Sequence, residues 1–483
     1  MLERFTPATQ DWFRGAFDAP TPAQTGAWEA ISGGRNALVV APTGSGKTLS
    51  AFLWAIDSVF RERLAAVDAA DADDGRSRTR ILYISPLKAL GVDVERNLRS
   101  PLIGIGQSAR RLGAPAPEIT VGVRSGDTTS SDRRKLVSNP PDILITTPES
   151  LYLMLTSRAG ETLRDVHTVI IDEVHAVAAT KRGAHLALSL ERLDALRIAQ
   201  GAEAPAQRIG LSATVRPIDE VARFLGGSAP VDIVAPRAVK TFELGVVVPM
   251  DDMRNPPPPP GASNPAGSST SSGPATGSGP STGSGTQDAE YTEVTGSVWP
   301  HVEEAIVDKV LENRSTIVFA NSRRLAERLT GRLNEIYSER LGAPVPTPSG
   351  PPAAMMAQAG QTAGAEPVLA KAHHGSVSKE QRAIVEEELK SGVLRCVVAT
   401  SSLELGIDMG AVDLVIQVEA PPSAASGLQR VGRAGHQVGE ISRASLFPKH
   451  RGDVLHTAIV TERMLAGQIE AISVPRNPLD ILA

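Results

Sequence analysis

Short apolar runs without polar alternation recur along this chain, and most are followed by a longer stretch with helical spacing. NALVV, ILYI, TVII and CVV are of this kind. A strand with one face in water alternates polar and apolar residues, whereas a strand covered on both faces is apolar throughout. Strands of the second sort, separated by helices, build parallel sheets with helices on either side. A first set comprises NALVVAP, RILYISP, ITVGVRS, DILITTP, TVIIDEV and QRIGLSAT, and a second STIVFAN, VLAKAHH, LRCVVAT, DLVIQVEAP and RASLFP. Two sets in 483 residues suit α/β domains of roughly 100–200 residues each. Ligands of open α/β sheets bind at the carboxyl ends of strands. The residues just after each run are therefore where chemistry is expected.

Charge narrows the class. Lys and Arg total 49 against 54 Asp and Glu, a formal charge of -5. A static, non-specific nucleic-acid coat is usually basic, so any such contact here must come from a local groove. Cys396 is the single cysteine; it excludes an internal disulfide and reads as a buried strand residue. The start MLERFTPATQDWF lacks the charged-then-apolar pattern of a signal segment. No apolar run reaches the roughly 18 residues of a membrane span, and a cytoplasmic, reduced location with no membrane partner is expected. The segment 254–288 is Pro, Gly, Ser and Thr with little apolar content, which reads as a disordered insertion. The preceding KTFELGVVVP already reads as a strand of the second domain. Residues 342–366 read as a second soft insertion, and Asp68 to Asp74 as an acidic surface loop.

Three motifs carry chemistry. Ala41-Pro-Thr-Gly-Ser-Gly-Lys-Thr48 follows one strand and opens a helix, the setting of a phosphate-binding loop. Gly44 and Gly46 let backbone N–H groups turn inward around phosphate oxygens. Lys47 is placed to reach the β- and γ-phosphates and Thr48 to ligate Mg²⁺. Next, Asp172 and Glu173 follow TVII. Asp172 suits Mg²⁺ and Glu173 suits a base that activates water. Neighbouring carboxylates on a strand point to opposite faces, so a turn must begin here for both to serve. Last comes Gln429-Arg-Val-Gly-Arg-Ala-Gly-His436. On a helix Gln429, Arg430 and Arg433 would share a face, with Arg433 as the main arginine finger and Arg430 as its partner. Gly432 and Gly435 each cost a helix about 1 kcal/mol, which makes sense if another backbone or a ligand approaches closely.

Together these elements resemble the superfamily 2 helicases. The strings SPLKALGVDVERNL, DEVHAV, ATSSLELGIDMGAVDLVIQVEAP and QRVGRAGHQ narrow the resemblance to the Lhr (large helicase-related) family. That resemblance implies two RecA-like domains with mainly parallel sheets, 1–235 and 236–475, and an ATP site in the cleft between them. It implies ATP-dependent movement 3′ to 5′ on single-stranded DNA, unwinding of DNA or RNA:DNA duplexes, and links to DNA repair. Gln24 matches an adenine-reading glutamine; Thr43, Gly44, Ser45, Gly46, Lys47 and Thr48 match the phosphate loop. Gly406 and Asp408 match positions that close onto the nucleotide from the second domain. His175, Ser212, Thr214 and Gln429 match residues coupling hydrolysis to domain movement. Lhr-like proteins continue into a winged helix, whose start would fall at 476–483.

A motor must hold the sugar–phosphate backbone without reading bases. Thr147, Ser322, Ser401 and Ser402 offer hydroxyls at strand ends, Asn321 an amide, and Lys88, Arg124 and Arg323 charge. His373 and His374 read as a strand-end contact loop rather than a zinc site. Two other readings stand beside the DNA helicase: an RNA helicase, and an ATP-driven strand binder that does not unwind.

Overall fold

The computed structural model describes residues 1–42, 44–68, 78–236, 240–253, 256–257, 297–342, 368–405, 409–435 and 440–482. Both proposed insertions lie almost wholly outside the described residues. So do Thr43, Gly406 and Asp408.

The apolar runs are strands, gathered into two sheets. The first holds β1 (Asn36–Val40), β2 (Ile81–Ile84), β3 (Val121–Arg124), β4 (Ile143–Thr146), β5 (Thr168–Ile171), β6 (Gln207–Ser212) and β7 (Val231–Val234). Its order is β3-β4-β2-β5-β6-β1-β7, and all neighbours are parallel. The second holds β8 (Phe242–Val246), β9 (Thr316–Phe319), β10 (Ala370–His373), β11 (Cys396–Ala399), β12 (Leu414–Val418) and β13 (Ser442–Phe447). Its order is β10-β11-β9-β12-β13-β8, again parallel throughout. These are two RecA-like domains.

The unbroken apolar runs have a direct cause. β1 sends Ala37 and Val39 into one core and Leu38 and Val40 into the other. β9 divides in the same way, Ile317 and Phe319 to one side and Val318 to the other. With helices on both faces, neither set of alternate side chains meets water. β7 was not expected from the sequence: it is an edge strand, its residues are half-buried or exposed, and Asp232 interrupts it. Cys396 is buried in β11, and burial pushes its thiol well up. Among the described residues no helix is long and apolar enough to cross a membrane.

Beyond the second sheet the chain returns to the first. Ile472 donates its N–H to the Arg216 carbonyl at 2.6 Å, and Ile472 and Val474 pack against a first-domain core. Near the other end, the helix Pro22–Ser32 lies against the helix Lys47–Asp68 that follows β1. Trp28 is the bolt between them. Its indole N–H donates to the Ser50 carbonyl at 2.9 Å, and Phe5 and Phe13 meet its ring edge-on at 4.9 and 5.6 Å. Trp28→Ala should therefore cost the first domain about 3–5 kcal/mol, read by urea denaturation followed by circular dichroism. A loss below about 1 kcal/mol would mean that this helix is not bolted by its tryptophan.

Candidate nucleotide site and strand path

Parallel strands all end on one edge, so the first sheet lines up its motifs. β1 runs into Ala41–Thr48, where Gly44 and Gly46 have φ of 82° and 77°, a left-handed region that glycine enters at little cost. Gly46 has a second reason: a Cβ there would lie 2.5 Å from the Gln24 side-chain nitrogen. Gln24 is held in place by a reciprocal cap. Its Oε1 accepts from the Thr21 N–H at 2.9 Å while Thr21 Oγ1 accepts from the Gln24 N–H at 3.2 Å. Thr21 Oγ1 also donates to the Ser45 carbonyl at 2.8 Å. The Gln24 segment is thus fastened onto the loop, with its amide oxygen already engaged. Lys47 opens the next helix and donates to the Ala41 carbonyl at 2.5 Å. Burial lowers its pKa, and the nearby Glu173 and Asp172 pull it back up.

At the end of β5 the turn demanded by the two carboxylates is present. Glu173 sits in the left-handed region at φ 44° and starts the helix Val174–Ala178. Asp172 is buried; its Oδ1 accepts from the Glu173 N–H at 2.9 Å and its Oδ2 from the Tyr83 hydroxyl. Burial, reinforced by Glu173, raises Asp172 to about 7. Burial and the charge of Asp172 likewise push the Tyr83 phenol well up, so it stays a donor. Glu173 Oε2 is buried without a hydrogen-bond partner. A free carboxylate lone pair in a dry site is what a base needs to take a proton from water.

The second domain corrects one expectation. The helix Ala424–Val431 stops before Arg433, so Gln429, Arg430 and Arg433 do not share a helical face. Gly432 caps its end, and Gly435 has φ 62° with room for no Cβ, which would lie 2.6 Å from the Ile441 carbonyl. The close approach behind these glycines is made by the chain's own backbone. The three side chains consequently diverge. Gln429 crosses to the first domain. Arg430 turns into its own domain, donating to Asn321 Oδ1 at 2.9 Å, Gln417 Oε1 at 3.0 Å and Glu404 Oε2 at 3.1 Å, over the Phe319 ring. In this arrangement its guanidinium is taken up within the second domain, apart from Arg433. Asn321 is likewise engaged, donating to the Ala420 carbonyl at 2.8 Å.

Arg433 is buried, donates to the Glu404 carbonyl at 3.0 Å, and lies close enough to Lys47 to depress its pKa. Lys240, which no motif flagged, donates to the Gly432 carbonyl at 3.0 Å. Burial, with Arg433 beside it, lowers Lys240 to about 8. Lys47, Lys240 and Arg433 form a cationic cluster fed by both domains.

A cleft of about 670 Å³ runs alongside, between the carboxyl edges of the two sheets. Lys88, Arg323, Ser401 and Ser402 line it; Arg124, Thr147, Asn321 and Ser322 do not. Thr147 and Ser322 serve as helix caps, accepting from the Ser150 and Leu325 N–H groups at 3.4 and 3.2 Å. Arg124 is buried at the end of β3, with Nη1 lacking a hydrogen-bond partner. Ser402 Oγ donates to the His373 carbonyl at 2.8 Å, and the two histidine rings meet Glu386 and Glu327. Arg96, Lys379 and Arg382 also line the cleft, and no motif singled them out because they sit on ordinary-looking helices. Asp127 pairs with Lys88 at 2.5 Å, and this bond chiefly keeps its carboxyl below the usual range.

Comparison with known proteins agrees with this geometry. The family described as DEAD/DEAH box helicase matches residues 21–222, and the helicase conserved C-terminal domain matches 355–437. A protein of Mycolicibacterium smegmatis named Lhr helicase/probable uracil glycosylase is 61% identical over 100% of this chain and 29% of its own length. The Escherichia coli Lhr helicase/uracil glycosylase is 54% identical over 99% of this chain and 29% of its own. A solved structure of the Mycobacterium smegmatis helicase Lhr, bound to ssDNA and AMP-PNP, superposes with a TM-score of 0.79 at 60% identity, covering all of this chain and 52% of that one. The chain belongs to the Lhr helicase family, within the DEAD/DEAH-type helicases of superfamily 2. It spans less than a third of the length of these two bacterial Lhr relatives.

The two halves of the chain touch through His175. Ala213 donates its N–H to His175 Nδ1 at 3.3 Å, and Ser212 Oγ lies 3.2 Å from the same nitrogen. Nδ1 is therefore the acceptor and Nε2 carries the proton. Nε2 lies 2.8 Å from the Gln429 side-chain amide nitrogen; with Nδ1 accepting from Ala213, the amide must turn its oxygen to the ring for this contact to be a hydrogen bond. Thr214, exposed, borders the adjoining pocket with Gln429. This ring must stay neutral to accept from Ala213, and burial lowers its pKa from 6.5. A histidine depressed in the folded state contributes its full stability above its ordinary value and loses it as pH falls below, because the unfolded chain takes the proton first. Urea midpoints at about pH 7.5 and about pH 5.5 should differ less in His175→Gln than in the parent chain. Equal pH dependence in both would show that His175 is not held neutral.

Proposed function

We propose that this chain is the motor of an ATP-dependent helicase that moves along single-stranded DNA 3′ to 5′ and unwinds DNA or RNA:DNA duplexes, in DNA repair. One observation carries the reading. Lys47 stands within electrostatic reach of Asp172 and Glu173 in its own domain and of the buried Arg433 of the second, and Glu173 Oε2 is buried without a hydrogen-bond partner. In the proposed division, residues 1–235 bind ATP and 236–475 close over it. Lys47 and the loop N–H groups hold the β- and γ-phosphates, with Gln24 at the base. Glu173 takes the proton of the attacking water, and Arg433 offsets charge on the transferring phosphoryl group.

The residues also fit Mg²⁺. Among the described residues no cluster of three or more His, Cys, Asp or Glu is gathered as a metal cage. Mg²⁺ does not ask for one: it keeps several waters and takes one or two protein oxygens plus substrate phosphates. Thr48 at the start of its helix and Asp172 would supply those oxygens. Bound there, the ion would neutralise charge on the β- and γ-phosphates.

For the strand we propose the cleft, with Lys88 on the first-domain wall and Arg323 and the Ser401 and Ser402 segment on the second-domain wall. The mycobacterial Lhr helicase, whose solved structure holds ssDNA, supports this substrate. Thr147, Ser322 and Arg124 act from the margin, the first two by shaping their helix ends.

The experiment compares ATP turnover with no nucleic acid, single-stranded DNA and single-stranded RNA, beside unwinding of tailed duplexes. DNA-stimulated turnover with unwinding is expected. Stimulation by RNA alone, or stimulation without unwinding, would overturn the DNA-helicase reading. Glu173→Gln should abolish turnover while nucleotide still binds, because Glu173 acts on water and not on phosphate. Near-normal turnover would remove it as the base. Arg433→Ala should lose about 10³–10⁵ in strand-stimulated rate at unchanged nucleotide affinity. Full stimulation in that variant would mean the site is not shared between domains.

A further inference from the structure

Tyr83 is an anomaly in its strand. β2 reads Ile-Leu-Tyr-Ile, all four residues are buried, and Tyr83 is fully so. Its neighbours in the core are Phe52, Ile81, Ile143 and Ile145. A phenylalanine would fill the same space without taking a hydroxyl out of water, which is costly unless a partner is found. The partner is Asp172 Oδ2.

Both ends of this hydrogen bond are fixed independently. The Tyr83 ring stacks on Phe52 with centroids 4.7 Å apart and planes 30° apart. Phe52 belongs to the helix that opens with Lys47 and Thr48. On the other side, Asp172 donates its own N–H to the Ile84 carbonyl at 3.0 Å, and its Oδ1 accepts from Glu173. A carboxylate with one donor on each oxygen cannot rotate without losing one of them. It keeps about one lone-pair direction free on each oxygen.

We propose that Tyr83 is a positioning residue for the metal: its hydroxyl locks the Asp172 carboxylate so that an oxygen is presented toward Mg²⁺ beside Thr48. This rests on the proposed ATP site. Groups that orient a metal's carboxylate ligand typically change metal affinity or activity 10–100-fold when removed. The bland alternative is a core tyrosine that found the nearest acceptor, and it makes a different prediction about Mg²⁺.

Tyr83→Phe removes the oxygen and keeps the stacked ring. In the full chain, binding of a fluorescent non-hydrolysable ATP analogue is titrated with Mg²⁺ and repeated in EDTA, with melting temperature as a check on folding. The Mg²⁺ midpoint is expected to rise by roughly 10-fold or more, while affinity in EDTA stays within about two-fold. Phe52→Leu, which frees the ring but keeps the hydroxyl, should shift the midpoint in the same direction by less. An unchanged midpoint in Tyr83→Phe would overturn the inference and leave the ATP site standing. If the parent chain itself binds the analogue equally with and without Mg²⁺, the metal site and this inference fall together. Equal weakening with Mg²⁺ and in EDTA would show a structural tyrosine only.

Discussion

A strand covered on both faces has no side chain to spare for solvent, so it can offer chemistry only where it stops. Parallel pairing then decides where all the strands stop. In the first sheet, β4, β2, β5, β6 and β1 end side by side, and Thr147, Lys88, Asp172, Ser212 and the glycine-rich loop follow in that order across one edge. In the second, β10, β11 and β9 bring His373, Ser401 and Arg323 to a common edge. An antiparallel neighbour would send its functional residues to the far side of the domain. The cleft walls and the nucleotide site are therefore consequences of register before they are consequences of any one motif.

This explains why so much of the site was legible in the sequence. The glycine-rich loop, the acidic pair and the serine-rich end of β11 all sit where an apolar run breaks off, and breaks are visible in one dimension. The need for a turn at Glu173 was legible for the same reason, since two adjacent carboxylates on a strand cannot face one ligand. Arg430 shows where such reasoning stops. Its spacing from Arg433 is that of a helix face, but Gly432 ends the helix and the two guanidinium groups part. A C-terminal cap depends on the backbone beyond it, here the Ile441 carbonyl packed against Gly435, and nothing in the spacing reports that. Arg96, Lys379, Arg382 and Lys240 were hidden differently: each looks like a solvated cation until the fold brings its partners near.

Those partners pose an electrostatic problem. Lys47, Lys240 and Arg433 lie within electrostatic reach of one another, and Lys47 also of Asp172 and Glu173. Buried charge is tolerated only when paired and hydrogen-bonded. Carbonyl oxygens of Ala41, Gly432 and Glu404 supply one bond to each cation. Burial lowers the pKa of Lys47 and Lys240, while Glu173 and Asp172 beside Lys47 and Glu440 beside Lys240 act against it. A polyanion would satisfy all three cations at once, and only with the domains together.

His175 joins the two domains beside this cluster. Its Nδ1 accepts from the backbone of Ala213, beside the end of β6, and its Nε2 meets Gln429, which lies next to Arg430 and close in sequence to Arg433. The ring begins just beyond Glu173, whose carboxylate oxygen is 3.4 Å from Nδ1. A neutral imidazole can transmit orientation through both nitrogens at once, because one accepts while the other donates. A charged ring would donate from both and lose Ala213. The path from Glu173 to the second domain thus runs through one imidazole, whose tautomer follows from the Ala213 N–H. The Ala213 N–H at the end of β6 and the Gln429 amide of the facing domain therefore meet one and the same ring.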